Sequence, residues 1–280
     1  MEKAIKRYFP IFVLPTMIAF TLGFIIPFVE GVYLSFCKFT TVNDAKFIGF
    51  ANYAKVFADE TFVHAFWYTA AFTVVSVILI NVLAFAVALL LTKGFKGTNI
   101  FRTVFFMPNL IGGIVLGYIW QLLLNGILMK FSRTLTYSST YGFWGLIILM
   151  CWQQIGYMMI IYIAGIQNIP GELIEAAEID GATKWQILKK VTIPMVMPSI
   201  TVCTFLTLTN SFKLFDQNLA LTNGELSKMS EMLALNIFNT FYGRTGYEGV
   251  GQAKAVIFFI LVTVIALTQN YLTRRKEVQQ

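Results

Sequence analysis

Six stretches of this 280-residue chain are apolar and long enough to cross about 30 Å of hydrocarbon as helices. They lie near Phe9–Phe36, Trp67–Leu91, Thr103–Leu124, Phe143–Gly165, Met195–Phe215 and Ala253–Leu272. Between the fourth and fifth the pattern changes. Pro170–Pro194, PGELIEAAEIDGATKWQILKKVTIP, carries seven charged side chains and does not belong in lipid. The spacing predicts two short helices with a break. Pro170 and Gly171 open the first, and Glu172, Glu175 and Glu178 suit its positive start. Leu173, Ala176 and Ala177 share a narrow face of small apolar residues. Gly181 can take the left-handed conformation that ends a helix, and Thr183 with Gln186 forms a capping box for the next. The expected fold is all-α: a polytopic membrane protein with six transmembrane helices, one transmembrane domain over 1–280, and a cytoplasmic loop at 170–194 within it.

Composition agrees. Hydrophobic residues make up 57% of the chain and charged ones 12%, with a mean hydropathy of +0.70. The net charge of +7 does not call for nucleic acid, because cytoplasmic membrane loops produce the same excess. Lys3, Lys6 and Arg7, then Lys93, Lys96 and Arg102, then Lys184, Lys189 and Lys190, then Arg274, Arg275 and Lys276 alternate onto one side. The other nine Lys and Arg are spread over longer loops with acids among them. The clustered side is the expected cytoplasmic one, which puts both termini and the 170–194 loop inside. The opening bases and apolar run read as a first span rather than a signal peptide, because the run is long and no small-residue cleavage site closes it. Cys37, Cys151 and Cys203 lack metal spacing and His64 stands alone, so neither a disulfide framework nor a metal site is expected.

No catalytic motif is present. GxxxxGK[ST], HExxH and GxSxG are all missing, so any energetic work must draw on another subunit. A membrane-embedded enzyme would need paired carboxylates, and Glu30 and Asp216 are the acids within or bordering the spans. Polar groups inside spans are more informative, since each costs free energy in lipid. Asn109, Gln121, Gln153, Gln154, Asn210, Ser211, Lys213 and Asp216 fall in this class, several beside aromatic residues. Amides beside flat rings suit a polyhydroxylated ligand; the same residues also serve as interhelical hydrogen-bonding glue. Lys213 and Asp216 have the spacing of an interfacial ion pair. The 170–194 loop is likewise open to two readings, an interfacial hairpin or a helix that docks in a soluble partner.

Glu175-Ala176-Ala177, Gly181 and Ile193-Pro194 resemble the EAA loop of bacterial ABC-importer permeases. GFANYAKVF, FRTVFFMPNLIGGIVLGYIWQLLLNG, GYMMIIYIAGIQNIP and ALTNG resemble the carbohydrate-uptake branch, and most of all its first permease of the maltose, lactose and glycerol-phosphate type. The resemblance implies a coupling helix, with Glu172, Glu175, Ala176, Ala177, Asp180 and Gly181 seated in a separate ATPase. It also implies a midplane substrate site at Asn109, Gly113, Gln153, Gln154, Asn210, Ser211 and Leu214. Implied partners are a second homologous permease, an ATPase dimer carrying ATP and Mg, an extracellular solute-binding protein and membrane lipid. No cofactor on this chain and a bacterial cytoplasmic membrane location follow. Asn223-Gly224-Glu225 stands where the family has a glycine-rich GGP, and the long insertion of the maltose permease is missing. A permease for a phosphate ester is the second reading, with Lys213 as its basic candidate.

Overall fold

The computed structural model describes residues 2–94, 96–223 and 228–274, with the backbone alone given for 2–7, 10 and 274. The side chains of Lys3, Lys6, Arg7 and Arg274, together with Gly224, Glu225, Arg275 and Lys276, lie outside the described residues. The chain divides into two units, Met1–Glu60 with Ile237–Ile260, and Thr61–Asn236 with Leu261–Gln280.

In the first unit, α1 (Glu2–Phe20) passes through one π turn, Thr21–Ile25, into α2 (Ile26–Leu34). The wider turn falls just before Pro27, whose ring lacks the N–H that an α-helix would need there. Together they supply the first span, Ile11–Leu34. A small hairpin follows, which the apolar pattern does not announce. In it β1 (Cys37–Lys38) pairs antiparallel with β2 (Lys46–Phe47). Asp44 closes the hairpin: its Oδ1 accepts from the Thr40 and Thr41 amides, both at 3.0 Å. Gly49 takes φ +63° and turns the chain into α3 (Ala51–Phe57), where Gly49 and Asn52 predict a turn. Buried Asn52 donates to the Ser35 and Cys37 carbonyls at 2.9 and 2.8 Å, tying α3 to the end of the first span.

The long helix α4 (Glu60–Leu91) is the second span. Next come α5 (Thr98–Phe106), a 3-10 turn at Met107–Leu110 and α6 (Gly113–Leu128). The third span is therefore Gly113–Phe131 rather than the expected Thr103–Leu124. Pro108 breaks the helix, and Ile111 and Gly112 are extended. The freed Ile111 carbonyl accepts from Gln153 Nε2 at 3.4 Å. Helix α7 (Ser139–Gln167) is the fourth span. After it come α8 (Gly171–Ile179), α9 (Lys184–Ile187), a π segment at Leu188–Thr192 before Pro194, and α10 (Ile193–Met195). Helix α11 (Met197–Phe212) is bent 69° from Lys184–Met195. Then α12 (Asp216–Leu221), α13 (Leu233–Gly243) and α14 (Glu248–Arg274) complete the chain. Among the described residues, five helices are long and apolar enough to span alone, and the bent pair brings the number to six if it is one crossing.

The core of the second unit forms around α7, of whose apolar window 67% is buried. Leu146, Leu149, Met150, Met158 and Tyr162 are almost fully enclosed. At Gly156 the backbone of α5 comes so close that a Cβ would overlap the Phe105 carbonyl. Tyr162 donates to Asn81 Oδ1 at 2.7 Å, and Asn81 donates to Thr207 Oγ1 at 3.3 Å, joining α4, α7 and α11. In the first unit, Lys254 on α14 is fully enclosed. It donates to Asp59 at 2.7 Å and to Thr240 at 2.8 Å. By sequence it groups with the loop bases; the structure removes it from that set.

Candidate functional site

Two features of the second unit carry the polar chemistry: a cleft among the spans and the open loop at one end. The cleft arises from a helix break. α11 stops at Phe212, Phe215 takes φ −120° and ψ −62°, and α12 restarts at Asp216. Irregular backbone at membrane depth is tolerated where it lines a cavity, and here it borders one of about 250 Å³. Gln154, Asn210, Lys213, Leu214, Asp216 and Gln217 line it, with Met150 and Phe215 as apolar walls. Gln217 Nε2 donates to Gln153 Oε1 at 2.8 Å, linking α12 to α7. The Oε1 of Gln154 is sealed from solvent and has no donor among the described residues. That leaves a buried acceptor at the rim of a polar cavity. Lys213 and Asp216 line the cavity as separate charges and form no ion pair with each other among the described residues.

The residues assigned to the substrate site from sequence separate in three dimensions. Gln154, Asn210 and Leu214 border the cleft directly. Gln153 joins it through Gln217. Gly113 lies against α12, where a Cβ would come 2.7 Å from Asp216 Cβ and 3.0 Å from Gln217 Cδ. Ser211 is buried on α11, its hydroxyl without a partner among the described residues. Asn109 sits in the 3-10 turn and does not line the cleft. Gln121 is spent elsewhere, donating to the Leu221 carbonyl at 3.1 Å. Gln217 also lines the cleft, although its polarity at the end of an apolar run does not single it out in the sequence. Its signal was its place just past the break, two residues after Phe215.

The loop is built by local rules. Pro170 precedes the first turn of α8; of the three glutamates expected at its positive start Glu172 alone lies in that turn, while Glu178 falls in the last. Gly181 takes φ +77°. The Ala182 amide reaches the Ala177 carbonyl, and the Gly181 amide the Glu178 carbonyl, both at 3.0 Å. That is a Schellman ending, which needs the left-handed residue. Thr183 and Gln186 form the capping box on α9, with the Gln186 amide 3.3 Å from Thr183 Oγ1. Ile174 and Ile187 anchor the loop. Glu172, Glu175, Ala176, Asp180 and Gly181 stay exposed and Ala177 is half-buried. Ile179, between Glu178 and Asp180, is 85% exposed and Trp185, beside Lys184, is 69% exposed, so the loop presents two apolar knobs among charges.

A polar cleft among spanning helices, with an open structured loop at one end, defines a membrane transport component. The model described as "Binding-protein-dependent transport system inner membrane component" matches residues 80–278, and the chain belongs to this family. It is 42% identical over 278 residues to the probable starch degradation products transport system permease protein AmyD of Thermoanaerobacterium thermosulfurigenes, covering 96% of this chain and 94% of that one. It is 28% identical over 289 residues to the multiple sugar-binding transport system permease protein MsmF of Streptococcus mutans, covering 99% of each. Among solved structures, a bacterial ABC transporter involved in alginate import has a chain that superposes with a TM-score of 0.84 at 22% identity, covering 98% of both. The chain is a transport permease and not an enzyme.

Proposed function

We propose that the chain is a permease subunit of an ATP-driven importer for a sugar, oligosaccharide or sugar derivative, forming half of the translocation pathway. A second homologous permease would supply the other half, and an ATPase dimer, with its ATP and Mg, would grip α8. An external solute-binding protein would deliver the ligand, and lipid would surround the spans. The clustering of Lys and Arg supports a cytoplasmic side for the termini and the loop. The observation that carries this reading is the polar cleft of Gln154, Asn210 and Gln217 inside a chain whose relatives are named for sugar transport. Buried amides hold hydroxyls by donating and accepting at once. Lys213 in the lining favours a phosphate ester as a second reading, but Asp216 in the same lining offsets its charge.

Reconstituted importer with internal ATP tests both readings. Starch-derived oligosaccharides should be taken up, neutral sugars should compete, and Gln154→Leu with Asn210→Leu should cut uptake while ATPase activity persists. Competition by phosphate esters alone would transfer the site to the second reading. Gly181→Pro or Glu175→Lys should uncouple ATP hydrolysis from uptake; full coupling in both would end the docking role of α8.

A further inference from the structure

From Thr61 to Gly171 the chain has no acidic residue, yet it carries Lys93, Lys96, Arg102, Lys130 and Arg133. Of these five, Arg102 is half-buried and the others are exposed. It borders a polar cleft of about 410 Å³, where Leu91 ends the second span and Gln167 ends the fourth. Among the described residues its guanidinium reaches one acceptor, the Leu91 carbonyl, at 3.4 Å. Its Nε is sealed from solvent and has no acceptor among the described residues. A desolvated guanidinium N–H without a carboxylate calls for an anion. Thr92, Asn99 and Gln167 add neutral polar groups to the lining. Gly94 and Gly97 take φ +71° and +90°, and a Cβ at either would meet nothing within 4 Å among the described residues. Lys93 and Lys96 flank that turn. The outer side of α5 is apolar and exposed, with Ile100 at 69% and Val104 at 54%.

We propose that this cleft binds the phosphate headgroup of an anionic phospholipid. The Arg102 fork pairs with the phosphate oxygens, Lys93 and Lys96 add attraction, and the acyl chains follow Ile100 and Val104 along α5. A basic pocket where spans leave the bilayer has the charge and depth for this ligand, which a pocket in bulk water would not. The inference needs the chain to span a membrane and does not depend on the sugar reading.

Native mass spectrometry of the full-length chain, purified with the subunits that accompany it, provides the test. Phosphatidylglycerol should be retained and phosphatidylcholine lost. Arg102→Gln should weaken retention about tenfold. Lys93→Gln with Lys96→Gln, which leaves the Leu91 carbonyl its partner, should weaken it at least about fivefold. Arg102→Lys keeps the charge and should keep the preference for the anionic lipid, which separates headgroup binding from misfolding. Equal retention of both lipids, or undiminished selectivity in the Lys93/Lys96 double variant, overturns the proposal. So does displacement of the lipid by millimolar inorganic phosphate, or an R102C crosslink that captures a copurifying subunit.

Discussion

The first span and α7 are both apolar helices of membrane-crossing length, yet none of the first span's apolar window is buried and 67% of α7's is. Hydropathy does not separate them, because lipid demands the same surface that a protein core does. What separates them is small and polar. α7 carries Gly142, Gly145, Gly156 and Gly165, each with a neighbour inside the volume of a Cβ or tight against it, and the pair Gln153–Gln154. In the first span Gly23 has nothing within 4 Å, and a Cβ at Gly31 would meet only the flexible end of Gln252, its Nε2 at 2.5 Å, rather than a packed backbone. Close approach and amide pairing mark the helix that organises its unit.

The largest expected effect follows directly. Gly156→Val should prevent α5 from seating on α7, a loss above about 3 kcal/mol, because the obstacle is backbone and cannot rotate away. Gly23→Val should leave the thermal melt of the purified protein unchanged. Equal melts for the two variants would break the contrast between the helices. Lys254→Met comes next. In the unit that holds the first span, the buried Lys254–Asp59 pair takes the anchoring role that small residues take in α7. Removing the cation takes the 2.7 Å ion pair from Asp59, which is 19% exposed, and should cost roughly 3 kcal/mol. The Lys254→Met, Asp59→Leu double variant should recover much of that loss, and no recovery would mean the pair is not what holds the site.

These contrasts also show what can be read from the sequence. In the 170–194 loop the Gly181 turn and the Thr183–Gln186 box were legible, because they act within a few residues, while the π segment at Leu188–Thr192 was not. The spans were legible as apolar runs, although the third one's start was not. Pro108 reads as a kink in a string of letters, and only the Gln153 contact to Ile111 shows that the break is stabilised from another helix. Polar residues in spans were legible as a class and not by role. Gln121 caps a helix end while Gln154 faces a cavity, and nothing local distinguishes them. Asn81 and Asn218 passed unnoticed for the same reason. Asn218 is fully buried, donating to the Ser230 carbonyl at 2.8 Å and accepting from the Met232 amide at 2.9 Å.

A smaller effect sharpens the comparison from the polar side. Tyr162→Phe removes the hydroxyl that reaches Asn81 and should destabilise by roughly 0.6–1.7 kcal/mol, the range for hydrogen bonds between membrane helices. Thr21→Val, in the first span, removes a hydroxyl bonded only to its own helix at Met17 and should cost less. Calorimetric melts in one detergent would rank the two, and a larger loss from Thr21 would reverse the argument.

The smallest effect concerns acid. α7 contains no carboxylate, so its packing should not respond to mild acid. The hairpin after the first span should. Donation from the Thr40 and then the Thr41 amide holds the Asp44 carboxyl below the usual carboxylate range. A group with a depressed folded-state pKa adds stability above its unfolded value of about 4, and that stability is lost as pH falls through the folded value. Hydrogen exchange at Thr40 and Thr41, corrected for intrinsic rates, should therefore quicken below about pH 4, while exchange in α7 stays constant. Asp44→Asn keeps an acceptor but no charge, so its hairpin should lose the pH dependence and keep most of its protection. A pH response that survives in Asp44→Asn would assign the effect to some other group.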